Sequence, residues 1–166
     1  MIFGMSTATY TIVHVFISLV GIASGLLVVF GFLTGKRLDG ITALFLATTV
    51  LTSITGFGFP FEHLLPSHVV GILSLLILAA VIPARYVFHL ANSWRWIYVI
   101  GSATALYLNV FVLIVQCFLK VPALHALAPT QQEPPFLIVQ LAALLIFVTV
   151  TVFATLRFHP RSTQTT

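Results

Sequence analysis

The sequence predicts an all-α integral membrane protein, a bundle of five transmembrane helices that forms a single domain over residues 1–166. The first observation is composition: 60% of the residues are hydrophobic, only 6% are charged, and the mean hydropathy is +1.15. A soluble domain has about 25% charged residues, so this chain must expose much of its surface to lipid. The second observation is that five stretches reach the ~20 apolar residues needed to cross a bilayer: residues 10–33, 40–58, 68–90, 95–119 and 135–157.

The borders of these stretches carry signals for helix ends. The first ten residues contain no Lys or Arg, so they lack the basic start of a signal peptide and we expect a retained first helix. The second stretch is the least apolar, because hydroxyl residues interrupt it. Pro66 precedes the third stretch, and Glu133 followed by Pro134 precedes the fifth, an arrangement typical of a helix start.

The basic residues favour one orientation in the membrane. Lys and Arg concentrate in the cytoplasmic loops of membrane proteins. With five spans, Lys120 alone falls on one side of the membrane. The other side receives Lys36, Arg37, Arg85, Arg95, Arg157 and Arg161. We therefore expect the amino terminus outside and the carboxyl terminus in the cytoplasm.

Charge and motifs argue against several classes of function. The net charge is +4, but no basic stripe with interleaved aromatic residues is present, so we expect no nucleic-acid partner. The sequence contains neither a G-x-S-x-G nucleophile pattern nor a phosphate-binding loop. The single cysteine, Cys117, cannot form an internal disulfide and fits a small packing residue. These features favour a non-enzymatic role over an enzyme.

The uncommon polar residues converge on the outer half of the membrane. In the expected orientation, His14 lies about a turn below the outer surface, Glu62 lies in an outer loop, and His68 lies in the first turn of the third helix. Polar residues at membrane depth usually face the bundle interior or a water-filled cavity and mark functional sites. We therefore expect a polar cleft that opens to the periplasm. Its candidate ligand-binding residues are His14, Glu62, His68, Asn109, Gln116 and Lys120.

Two helices carry polar stripes that suit the walls of such a cleft. The stripes are Ser102, Asn109 and Gln116 on the fourth helix, and Thr48, Thr52 and Thr55 on the second. Residues at these spacings share one face of a helix. The alternative is that these side chains hydrogen-bond across helices without any ligand, at about 1 kcal/mol or less each. The sequence leaves both interpretations open.

The loop GFGFPFEHLLPSH supports two cofactor hypotheses. Glu62, His63 and His68 are candidate metal ligands of the kinds that zinc or copper takes, although their spacing matches no established zinc signature. His14 and His68 are the one pair of helix-borne histidines at similar depth, which makes them candidate axial ligands of haem b. A quinone, a lipid headgroup or a proton-coupled substrate is a further alternative. The simplest alternative is a solvated turn.

Small residues on the first helix predict close helix packing. Gly21 and Gly25 are four residues apart, and so are Gly31 and Gly35, a spacing that lets two helices approach closely. The pattern fits internal packing and also the seam of a homo-oligomer through Gly21 and Gly25. Membrane lipid is the other partner that we expect.

Three stretches resemble a known family: TSITGFGFPF with LPSH, LYLNVFVLIVQCFLKVPAL, and LAPTQQEPPF. Together they resemble a family of small uncharacterised bacterial polytopic inner-membrane proteins, over most of residues 10–150. The resemblance implies a compact, multi-pass helical protein of the bacterial inner membrane. It implies no catalytic residue.

Three functions are consistent with these features. The first is a non-enzymatic binding or transport-type module for a small ligand, cation or proton at the periplasmic cleft. The second is a redox protein, with haem b on His14 and His68 or with a quinone. The third is an accessory or structural subunit, in which the polar stripes hold the helices together.

Overall fold

A computed structural model of the chain describes residues 4–59 and 66–159. Within these residues the chain forms six helices: α1 Thr7–Leu33, α2 Asp39–Gly56, α3 Pro66–Tyr86, α4 Trp94–Lys120, α5 Pro122–Leu127 and α6 Pro134–Arg157. All except the short α5 are long and apolar enough to cross a membrane. The prediction of an all-α bundle with five spans is therefore confirmed.

The third span ends earlier than the sequence predicts. Helix α3 ends at Tyr86 rather than at residue 90. The chain turns there because His89 and Leu90 adopt left-handed backbone conformations, with φ of 49° and 62°. The turn is held by a hydrogen bond from the Leu90 amide to the Ala84 carbonyl, 3.0 Å long. Such backbone conformations are uncommon for residues other than glycine.

The start of α6 follows the expected pattern, with Glu133 at the N-cap and Pro134 opening the helix. The Glu133 carboxylate points back to the preceding loop, where it accepts hydrogen bonds from the Thr130 hydroxyl at 2.8 Å and the Gln132 amide at 3.0 Å. Partial desolvation raises the pKa of Glu133, but these hydrogen bonds outweigh it and the net effect lowers the pKa. The ionised carboxylate therefore stabilises the loop between α5 and α6.

Helix α4 lies at the centre of the bundle and packs on α1, α3 and α6, while α2 packs between α1 and α3. Helix α4 contributes several of the most buried side chains, among them Tyr98, Val99 and Leu106. Phe32 from α1 and Phe45 from α2 complete this core. Contacts join the start of one span to the end of its neighbour, as between Tyr10 and Thr55, Asp39 and Arg85, and Arg95 and Phe158, so neighbouring spans are antiparallel.

Two glycines of α1 allow close contact within the chain. A Cβ atom at Gly21 would lie 3.2 Å from Oγ1 of Thr48, and one at Gly25 would lie 2.7 Å from Cδ1 of Leu106 and 2.8 Å from the Phe45 ring. The face predicted as a possible oligomer seam is thus occupied by α2 and α4 of the same chain. A homo-oligomer through Gly21 and Gly25 would require this packing to open.

The antiparallel arrangement gives the bundle two chemically different ends. We call one the arginine end; it contains the α1–α2 loop, the α3–α4 loop and the last turn of α6, with Arg37, Arg85, Arg95 and Arg157. The opposite end we call the histidine end; it contains the start of α1, the end of α2 and the start of α3, with His14 and His68.

Candidate functional site

At the histidine end, His14 links α1 to α2. Its Nδ1 lies 2.8 Å from Oγ1 of Thr55, and its ring meets the Phe59 ring edge-on, with centroids 5.2 Å apart. One turn earlier, the Tyr10 hydroxyl donates to the Thr55 carbonyl at 2.7 Å. These bonds fix the angle between two neighbouring spans, so the half-buried His14 has a packing role.

His68 is buried in the first turn of α3 and stacks on Phe57, with ring centroids 5.6 Å apart. Bis-histidine haem ligation requires two free imidazoles that face each other across the macrocycle. The His68 ring packs on Phe57, and the His14 ring packs on Thr55 and Phe59, so both imidazoles lie around the end of α2. The pairing of His14 and His68 as axial ligands of haem b stays a prediction.

The remaining predicted residues are spread around the bundle. Asn109 is half-buried in the middle of α4, and its Nδ2 donates to Oγ1 of Thr49 at 3.4 Å, across to α2. Gln116 and Lys120 lie further along α4 and are exposed. Ser102, at the start of the same stripe, is fully buried. The stripe of polar residues at seven-residue spacing on α4 therefore runs from the core of the bundle to its surface.

Two predicted residues, Glu62 and His63, lie outside the described residues. The proposed metal site of Glu62 and His63 with His68 stays a prediction for that reason. In residues 4–59 and 66–159, no three His, Cys, Asp or Glu side chains come close enough together to hold a metal ion.

In the half of the bundle nearer the histidine end, three described residues carry buried oxygen atoms without a hydrogen-bond partner among the described residues: Thr52, Ser74 and Gln140. The Gln140 amide donates from Nε2 to the Phe111 carbonyl at 3.3 Å, which leaves its oxygen unsatisfied. Buried acceptors of this kind are rare and call for an explanation such as water, an ion or a ligand. Gln140 was not among the predicted ligand-binding residues, although an amide in the second turn of a transmembrane helix is a usable signal.

The arginine end contains a buried charge that the sequence prediction treated only as a flanking residue. Arg85, in the last turn of α3, has a side chain that is only 3% exposed. Its Nη2 forms an ion pair with Oδ1 of Asp39, the first residue of α2, whose side chain is 69% exposed. Burying a charge is costly unless it is paired, so this ion pair holds α3 against α2.

Arg85 has further partners that orient its guanidinium group. Nη1 donates to the Tyr98 hydroxyl at 2.9 Å, and that hydroxyl lies 3.4 Å from Oγ1 of Thr42. The guanidinium carbon lies 5.2 Å from the centre of the Tyr98 ring and 5.5 Å from that of Tyr86, within the range of cation–π attraction. The Nε–H group, however, is buried and has no acceptor among the described residues.

A cavity of about 290 Å³ adjoins this buried arginine. It is lined by Arg37, Asp39, Gly40, Ala43, Arg85, Tyr86 and His89. With His89 neutral, the two arginines outweigh the one aspartate, so the cavity carries a net positive charge. His89 reaches its wall from a backbone with φ of 49°, a conformation that costs free energy for a residue with a side chain.

The first turn of α2 adds to the positive potential of this cavity. The first amides of an α-helix have no intrahelical acceptor and carry the positive end of the helix dipole. Leu38, at the N-cap of α2, provides no side-chain hydrogen bond to them, and Asp39 and Gly40 line the cavity. A helix N-terminus, a buried guanidinium with an unused N–H and a second arginine together form an anion-binding arrangement.

The neighbouring Arg95 is engaged differently. Its Nη1 donates to the carbonyls of Thr155, at 3.2 Å, and Phe158, and its guanidinium lies over the Trp96 ring. These bonds satisfy carbonyls at the end of α6.

A second cavity, of about 400 Å³ between α4 and α6, is lined by apolar side chains, Tyr107 and threonines, and it contains no charged group.

The fold and the two ends define the class: the chain is a multi-pass membrane protein with five apolar spans. Comparison with known protein families, with curated proteins and with solved structures finds no match to this chain.

Proposed function

We propose that this chain is a non-enzymatic binding module of the bacterial inner membrane, and that it binds a ligand with an anionic group in the Arg85 cavity. The observation that carries the proposal is the buried Nε–H of Arg85, which lacks an acceptor at the wall of a positively charged cavity. An unsatisfied buried donor costs about 1–3 kcal/mol, and more when it is charged. Because this Nε has almost no accessible surface, an oxyanion in the cavity would remove the cost once the guanidinium turns its Nε–H toward it.

The chemistry of the cavity favours oxyanions over other ligands. Arginine presents several N–H donors in one plane, which matches the oxygens of a phosphate or carboxylate group. Arg37 lies 3.5 Å from Asp39 and is 43% exposed, so its guanidinium is available at the mouth. A cation would meet two arginines and a helix N-terminus there, and an apolar ligand would leave the Arg85 donor unsatisfied.

The charge asymmetry of the chain supports a cytoplasmic position for this site. Arg37 and Arg85 belong to the basic set that the positive-inside tendency assigns to the cytoplasm. The inner leaflet carries the anionic lipids of the membrane surface potential, and soluble phosphate compounds are on the same side. Both sources of an anionic group are therefore accessible to the cavity in this orientation.

A thermal-shift measurement with inorganic phosphate tests the proposal. The full chain in non-ionic detergent is heated in sodium phosphate and in sodium chloride of equal ionic strength. A ligand that binds only the folded state stabilises it according to its concentration relative to Kd, so we expect a higher Tm in phosphate. Arg37→Gln should weaken this shift, whereas the exposed neighbour substitution Lys36→Gln should leave it unchanged. Equal Tm values in the two salts, or equal effects of the two variants, would contradict the proposal.

A second candidate function is the periplasmic small-ligand, cation or proton module that the sequence favours. The specific observation in its favour is the set of unsatisfied buried oxygens on Thr52, Ser74 and Gln140, in the half of the bundle that contains His14 and His68. Acceptor oxygens of this kind suit a proton relay or a ligand that donates hydrogen bonds.

Proton movement is the probe for this second candidate. Proteoliposomes that contain a pH-sensitive dye are subjected to a pH step, and the rate of internal pH change is compared with that of protein-free vesicles. We expect faster equilibration with the wild type and a loss of that excess with Gln140→Leu. Exposed Gln132, tested as Gln132→Leu, is the matched control. A rate equal to that of empty vesicles would leave these polar residues as interhelical contacts.

A further inference from the structure

Exposed residues of two spans mark an opening at the side of the Arg85 cavity. Gly40 and Ala43 form its α2 wall and Tyr86 part of its α3 wall, and all three are exposed. No atom lies within 4 Å of the Cβ position of Gly40. Ala43 lies four residues beyond Asp39, about 6 Å further along the helix axis. The opening therefore includes the first turn of an apolar helix long enough to span a membrane.

Small side chains continue from this opening toward the middle of the membrane. On α2, Gly40, Ala43 and Ala47 are exposed and share one face, since they are three and seven residues apart. On α3, Ala79 is exposed and lies seven residues before Tyr86, which places both on one face. By helical spacing these residues form a strip of small, exposed side chains on the two helices that flank the cavity, and we call this strip the α2–α3 seam.

We propose, as an extension of the proposed function and resting on it, that the ligand is an anionic glycerophospholipid from the surrounding leaflet. Its phosphate occupies the Arg85 cavity, where it accepts from Nε of Arg85, from Arg37 and from the first-turn amides of α2. One acyl chain lies along the α2–α3 seam. Basic pockets between transmembrane helices at the cytoplasmic face are suited to anionic headgroups in this way.

Asp39 takes the place of the phosphate in the lipid-free protein. Its carboxylate is an oxyanion at the N-terminus of α2, it pairs with Arg85, and its side chain is 69% exposed. Because Arg37 lies 3.5 Å from the same carboxylate oxygen, Asp39 can keep a cationic partner when it leaves Arg85. Lipid phosphate and Asp39 therefore compete for one guanidinium, and the Asp39 carboxylate lowers the affinity of the site for lipid.

The experiment compares lipid with soluble phosphate on the full chain. Delipidated protein in non-ionic detergent is titrated with phosphatidylglycerol, with zwitterionic phosphatidylcholine at equal mole fraction, and with inorganic phosphate, and Tm is recorded. We expect stabilisation by phosphatidylglycerol well above that by phosphatidylcholine. Asp39→Asn should lower the half-saturating mole fraction of phosphatidylglycerol roughly fivefold, which corresponds to about 1 kcal/mol.

A substitution in the seam separates the two sources of phosphate. Ala47→Phe fills the seam at an exposed position outside the cavity lining, and Leu44→Phe adds an aromatic ring at an exposed position that belongs to neither the seam nor the cavity lining. We expect Ala47→Phe to abolish the phosphatidylglycerol shift while the inorganic phosphate shift persists, and Leu44→Phe to preserve both.

The outcomes distinguish failure of the lipid proposal from failure of the proposed function. Equal shifts with the two lipids, or equal behaviour of Ala47→Phe and Leu44→Phe, would overturn the lipid proposal while a persisting phosphate shift kept the anion site. A phosphatidylglycerol effect that Asp39→Asn left unchanged would overturn the competition. The absence of any shift with either phosphate source would overturn the proposed function itself.

Discussion

Gly25→Ala is the substitution that tests the packing of the bundle most sharply. The added methyl would lie 2.7 Å from Cδ1 of Leu106 and 2.8 Å from two atoms of the Phe45 ring. Carbon atoms in contact are normally about 3.5–4.0 Å apart. Leu106 and Phe45 are almost fully buried, so they cannot turn toward solvent, and the helices must separate by several tenths of an ångström or more.

The expected cost follows from two opposing contributions. Overpacking a well-packed core costs about 1–3 kcal/mol. Alanine gains about 0.5–1 kcal/mol over glycine in a helix interior, and less if the unfolded state in detergent keeps its helices. We therefore expect a net destabilisation of about 0.5–2 kcal/mol for Gly25→Ala.

The assay is the apparent Tm of the detergent-purified chain, measured as the monodisperse fraction that remains after heating. Gly40→Ala is the control, because no atom lies within 4 Å of that Cβ position; its Tm should stay the same or rise. If Gly25→Ala instead left Tm unchanged and altered the molecular mass of the particle, the glycines would lie at an oligomer seam and the packing described here would be wrong.

Three further substitutions test individual contacts. Glu133→Gln should lower Tm at neutral pH but not in acid. Because the pKa of Glu133 is lowered, its ionised form stabilises the fold above the ordinary value of 4.5, and this stabilisation is lost as pH falls through the lowered pKa. An equal effect on Tm at both pH values would refute this prediction. Tyr98→Phe removes the hydroxyl that accepts from Arg85 and should lower the free energy of unfolding by about 1–3 kcal/mol, with a Tm at or above the wild-type value as the contrary result. A double-mutant cycle of His14→Ala and Thr55→Val should give a coupling energy of about 0.5–1.5 kcal/mol, and additivity of the two changes would argue against their bond.

The spans could be predicted from the sequence, because about 20 apolar residues in a row have few alternatives to a membrane helix. The end of α3 could not be predicted. The apolar run continues beyond Tyr86 through Val87, Phe88 and Leu90. A hydropathy pattern does not show that His89 and Leu90 turn the chain with positive φ. Helix ends in membranes depend on backbone geometry that composition does not encode.

The candidate site was harder to predict, for a geometric reason. Orientation and sequence position give the depth of a residue in the membrane but not the direction it faces. Asn109 faces α2, whereas Gln116 and Lys120, further along the same helix, are exposed. Arg85 was predicted only as a flanking charge that supports the orientation. Its burial depends on Asp39, which lies 46 positions earlier. Spacing along one helix cannot reveal such a pair.

The proposed function depends on the Arg85 guanidinium binding an oxyanion through its unused Nε–H. The test is arginine-selective ¹⁵N labelling of the full chain in detergent micelles, with titration of inorganic phosphate against chloride at equal ionic strength. We expect the Arg85 Nε–H resonance to shift and saturate with phosphate, while that of Arg95, which is already bonded to carbonyls at the end of α6, stays in place. An Arg85 resonance that phosphate leaves unchanged would contradict oxyanion binding by this group.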